Sequence, residues 1–140
     1  MYWLFLFVLI INCSMIQSIT IPDKVFDDTA LTCMKKLELS KRDVDKFLDE
    51  NLHIIRGPKL DALLICENTV DGYFNVNGDV IVEYLKSDIY DLYLPLLQKD
   101  DVKVEEDEIS EKCRYPSGEG IVERYVNIHN CLIDALKQVT

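Results

Sequence analysis

GPKLDALLICENTV, residues 57–70, decides the fold. Gly57-Pro58 breaks the preceding segment and restarts the chain. Proline suits the first turn of a helix, where its missing N–H has no partner to lose. The run Ala62-Leu63-Leu64-Ile65-Cys66 is then apolar nearly all round a helix. A helix apolar on every side is buried on several sides. The stretch predicts a central helix from Pro58 to about Val70 that carries a cysteine, with turn-forming Asp71-Gly72 after it.

Outward from this centre the apolar residues keep a helical period. Upstream, Phe26, Ala30, Cys33 and Leu37 fall on one face, with Asp23 as an N-cap. Ser40 to Asp43 has the form of a capping box, and Val44, Phe47, Leu48 and Leu52 follow as a short second helix. Downstream, Asn75 to Asp79 is turn-forming, and Val80, Ile81, Tyr84, Leu85 and Ile89 mark a fourth helix that ends before Pro95. Val102, Ile109 and Cys113 mark a fifth, whose other face is Glu105 to Glu108. Pro116-Ser117-Gly118 closes that segment. Val122, Tyr125, Val126, His129, Leu132, Ile133 and Leu136 make one stripe on the last helix. The prediction is all-α: six short helices, no convincing strand and no internal repeat. Helices this short are marginal alone and must stabilise one another by packing.

The ends and the charge set the class. Tyr2 to Ile11 is ten apolar residues without a charge, too short to span a bilayer and long enough for the core of a signal peptide. No Lys or Arg precedes it, so only the chain terminus supplies the positive end. Residues 1–18 read as a signal peptide cleaved after Ser18, leaving a domain of residues 19–140. The alternative for the apolar run is a buried strand. The net charge of −10 lies wholly in that domain. It excludes a nucleic-acid binder, which needs Lys and Arg on phosphates, and disfavours docking on anionic lipid. Cys13 leaves with the signal peptide. Cys33, Cys66, Cys113 and Cys131 remain, an even number in a small secreted domain, which reads as two disulfides. Their wide intervals do not suit zinc. Three pairings are open on spacing alone.

The placement of these cysteines carries a resemblance. Cys33 lies in the first helix and Cys66 in an apolar third. Cys113 follows an acidic fifth, and Cys131 stands within Ile128-His129-Asn130-Cys131-Leu132. Over residues 19–140 this resembles the insect odorant-binding proteins, in the four-cysteine subgroup. The usual member has two further cysteines, at the positions that are Ala62 and Val122 here. The resemblance implies the pairs Cys33–Cys66 and Cys113–Cys131. It implies a compact cluster of six helices around an apolar cavity that carries odorants, pheromones or related lipophilic molecules outside the cell. It also implies that packing alone ties the third helix to the sixth, giving a pliable cavity with broad ligand tolerance.

The expected lining is Leu64, Tyr84, Ile89, Tyr125, Val126, His129 and Ile133, apolar or amphipathic residues on helices that face the centre. The ordinary alternative for each is core packing. Tyr and His are the sharper candidates, because an apolar pocket needs a few polar groups to orient its ligand. His129 is either a pH switch or a hydrogen-bonded structural histidine; His53 reads as solvated. Val139 and Thr140 could form a lid. The run Asp100 to Glu111 reads as a solvated face, or as a surface for a basic receptor patch. Asn75 to Gly78 resembles the middle of a calcium loop, but Tyr73 and Tyr84 stand where acids are required. No catalytic arrangement appears: Pro116-Ser117-Gly118 is no nucleophile elbow. No cofactor and no metal are expected. The partners are a small hydrophobic ligand and, as a candidate, a membrane receptor, with the protein a monomer or weak homodimer. The alternatives are a cytokine-like helical signal, a saposin-like membrane-active protein, or a carrier of lipids or hormones in haemolymph, saliva, venom or reproductive fluid.

Overall fold

The computed structural model describes residues 19–140. The apolar run Tyr2 to Ile11, Cys13 and the cleavage site after Ser18 lie outside the described residues, and the side chains of residues 69–71 are not described. A 3₁₀ turn at Asp23–Val25 leads into α1, Asp28–Lys36. Then come α2, Lys41–Asp45, and α3, Pro58–Asp71. The fourth helix, α4, begins at Val82–Asp88, runs through a π-helical stretch at Ile89–Tyr93 and ends with the turn Leu94–Leu96. The last two are α5, Glu106–Cys113, and α6, Gly120–Lys137. Among the described residues these six helices are the architecture, and the β-pairing is two isolated bridges, Leu48 with Ile54 and Phe74 with Val80.

Local chemistry explains where the helices start and stop. Asp27, not Asp23, caps α1: its Oδ1 accepts from the Ala30 N–H at 2.8 Å. The box at Ser40 forms in full, with the Ser40 Oγ accepting from the Asp43 N–H at 3.2 Å and Asp43 Oδ2 accepting from the Ser40 N–H at 2.8 Å. These Ser40 bonds hold the Asp43 carboxyl below the usual carboxylate range, the backbone bond first. Ser40→Ala removes the cap from the N-terminal end of a five-residue helix. It should lower the melting temperature by about 3 to 5 °C in a calorimetric scan.

The second helix is shorter than the periodicity predicts. Its last residues are displaced by Asp49, whose Oδ1 accepts from the N–H groups of Asn51 at 2.8 Å and His53 at 2.9 Å. An Asp that bonds nearby backbone in this way offers the chain an alternative to helix. Leu52 then turns left-handed at φ 64°. Pro95 also departs from expectation. It does not end the fourth helix but sits buried inside its last turn. A proline within a helix loses one hydrogen bond and crowds the preceding turn. The wider π turn just ahead of Pro95 shifts the bonding register and takes up that conflict. Gly72 ends α3 as sequence suggests, at φ 65° in the left-handed region that glycine enters freely.

Packing closes the cluster. Leu85, Ile89 and Tyr93 of α4 meet Ile128, Leu132, Ile133 and Leu136 of α6 in one core, all of them withdrawn from solvent. A smaller cluster joins α3 to α6 through Leu60, Leu64 and Val126, with Val122 against it. The disulfides are Cys33–Cys66, from α1 to α3, and Cys113–Cys131, from α5 to α6. Both are the pairs implied by the resemblance. The end of α6 is held by Lys99, whose Nζ donates to the carbonyls of Leu136 at 3.0 Å, Lys137 at 2.9 Å and Val139 at 2.6 Å. A cation here meets the negative end of the helix dipole.

Candidate functional site

A cavity of about 560 Å³ opens between the N-terminal turn, α1, α3, α4 and α6. Its body is apolar because α3 turns one stripe inward: Leu60, Leu63 and Leu64, then Glu67 one turn later. The segment after α2 adds Phe47, Leu48 and Ile54, and the N-terminal turn adds Val25 and Phe26. The bridge between Leu48 and Ile54 folds that segment back over the cavity.

Four of the seven residues expected to line a site do so: Leu64, Tyr84, Tyr125 and His129. The other three do not reach the cavity. Ile89 and Ile133 are wholly buried in the main core. Val126 packs in the smaller cluster between α3 and α6. The helical stripe marks a buried face, and that face divides between cavity and core. The tail is no lid: Val139 packs on the main core beside Lys99, and neither Val139 nor Thr140 is among the lining residues.

His129 has the structural arrangement. Its Nε2 lies 2.8 Å from the Leu52 carbonyl, which can only accept, so Nε2 carries a proton. Burial first, and the nearby His53 besides, lower its pKa to about 4. His129 therefore stays uncharged across the neutral and mildly acidic range. His53 is half-buried rather than solvated, with Nε2 2.7 Å from Asp134 of α6.

The polar part of the wall was not legible as a site in the sequence. Tyr73 follows Gly72 in the turn after α3, outside any helical stripe, and is 7% exposed. Its ring meets that of Tyr125 edge-on, 5.2 Å between centroids. Among the described residues, neither its hydroxyl nor the side-chain carbonyl of Asn68 meets a partner at hydrogen-bond distance. Asp88 lies near the Tyr73 hydroxyl, and Glu67 and Asp88 both bear on Tyr125. Burial, then these neighbours, push both phenols well above their ordinary range, so they remain protonated. The edge holds Asp27, which caps α1, and Asp91, which accepts from the Ser87 hydroxyl at 2.9 Å. Among the described residues Lys24 is the one lysine or arginine lining the cavity, and it is paired with Asp100.

Among the described residues, no three His, Cys, Asp or Glu side chains are grouped as metal ligands would be, and no helix is long and apolar enough to cross a membrane. No family model, no curated protein and no solved structure matches this chain.

Proposed function

We propose that the protein is a secreted carrier that holds small, mainly apolar molecules in its internal cavity, as the insect odorant-binding proteins do. The cavity of about 560 Å³ carries this reading, since it falls within the range of small-molecule sites, roughly 300 to 1,000 Å³. An apolar lining with a few polar groups at one side is the usual composition of such sites. Water leaves the apolar wall when a hydrocarbon enters, a gain of about 0.8 kcal/mol per buried CH₂. Lost motion and ordering offset part of this, which sets the expected affinity in the micromolar range. The two disulfides within the chain are compatible with an extracellular location, where such bonds persist.

The test is titration of the purified, disulfide-bonded protein with N-phenyl-1-naphthylamine, an uncharged fluorescent probe. Saturable one-to-one uptake with a dissociation constant of about 1 to 10 μM is expected. Medium-chain alcohols, esters and terpenoids should displace the probe to different extents. A folded protein with no saturable uptake would overturn the carrier reading in favour of a signal that acts through its surface.

A further inference from the structure

We infer that the cavity is built for an amphipathic ligand with a protonated amine head, the head seated between Tyr73, Asn68, Glu67 and Asp88 and the apolar body against Leu60 and Phe47. This rests on the carrier reading and names its cargo.

An ammonium head brings three donors and no acceptor. The wall offers what it lacks. Among the described residues, nothing donates to the Tyr73 hydroxyl oxygen or the Asn68 carbonyl, and Tyr73 is more than nine-tenths buried. A buried polar group left unpaired is costly, so a ligand that satisfies it binds more tightly than one that does not. Asp88 lies near the Tyr73 hydroxyl, and Glu67, which lines the same cavity, bears with Asp88 on the neighbouring Tyr125.

The same wall rejects the opposite head. A fatty acid would bring its carboxylate to Asp27, Glu67, Asp88 and Asp91. Among the described residues, no lining cation is ready to meet it. Lys24 is paired with Asp100, and His129 is neutral with its Nε2–H committed to the Leu52 carbonyl. An alcohol stands between, able to donate one hydrogen bond without the charge attraction.

The experiment displaces N-phenyl-1-naphthylamine from the full protein at neutral pH with octylamine, 1-octanol and octanoate, which share one chain length and differ in head. Octylamine should displace at a concentration at least tenfold below octanoate, with 1-octanol between. Tyr73→Phe removes the hydroxyl and keeps the ring, so it should fold normally. Within each variant the ratio of octanoate to octylamine displacement should narrow several-fold for Tyr73→Phe, and Asp88→Asn should narrow it further. Equal displacement by the three, a preference for octanoate, or an amine preference untouched in both variants would overturn the inference and leave the carrier reading standing. Absence of uptake of both probe and octylamine, the latter followed by calorimetry, would overturn the two together.

Discussion

The double variant Cys33→Ala, Cys66→Ala is expected to be about 4 kcal/mol less stable than the native protein, and it should lose most of its ligand uptake. The bridge spans 33 residues, and closing a loop of that length removes denatured-state freedom worth about 4 kcal/mol at 25 °C on the chain-entropy argument. A domain of this size has a net stability of about 5 to 15 kcal/mol, so the loss takes a large fraction of it. The structural consequence is local. Helix α1 packs chiefly on α3, the helix to which this disulfide ties it. Phe26, Asp27 and Ala30, at the start of that arm, form one wall of the cavity. Freed from its clasp, the arm can lift and admit water. The second bridge provides the control. It spans 18 residues, for which the same argument gives about 3 kcal/mol, and it joins α5 to α6, where α5 supplies no lining residue. Urea unfolding and probe titration on both variants separate the effects. Removal of the first bridge should weaken probe binding at least tenfold. Removal of the second should leave it within about twofold. Equal losses would show that α1 is not a wall whose position depends on Cys33.

Reading the sequence upward reached the helices more fully than the cavity, for physical reasons that can be named. Apolar periodicity marks which face of a helix is withdrawn from water, and α6 shows it plainly from Val122 to Leu136. Periodicity does not say what lies opposite. Ile133 faces the core and His129 the cavity from consecutive turns of one helix. Polar lining is hidden more deeply. Nothing in the apolar spacing singles out Asp88 on α4, and Tyr73 belongs to no stripe. Only folding brings the turn after α3 against α4 and α6. The stripe Leu60, Leu63, Leu64 and Glu67 carried a usable signal, since an acid continuing an apolar face one turn on marks a wall with a polar end. Helix ends were missed where side chains compete for backbone donors, as Asp49 does after α2, or where a π turn carries the helix into Pro95. The disulfide pairing lay beyond spacing altogether and came only with the resemblance.

The second large effect is acid sensitivity set by His129. In the unfolded chain this histidine titrates near 6.5, while in the folded protein burial lowers its pKa to about 4. Between those values the unfolded state binds a proton that the native state refuses. Stability therefore rises with pH in this window and is lost as pH falls through it. The native protein is expected to lose about 2 kcal/mol from this one group between pH 7 and pH 5, and about 3 kcal/mol in all once pH falls below 4. Carboxylates change their charge over part of the same range, so the comparison must be with a variant in which only this group is removed. His129→Gln keeps a side-chain donor for the Leu52 carbonyl but cannot take up a proton. Its stability at pH 7 should fall, because the glutamine packs less well against the ring of Tyr93 that meets His129 edge-on at 5.3 Å. Its further loss between pH 7 and pH 5 should be smaller than that of the native protein by about 2 kcal/mol, measured by urea unfolding at each pH. Equal losses in the two proteins would mean that His129 gains its proton without unfolding and is less shut off from water than its place between Leu52 and Tyr93 requires. The same quantity bears on ligand release. A histidine that stays neutral to about pH 4 cannot expel cargo on mild acidification. Any release it triggers must coincide with loosening of the fold itself.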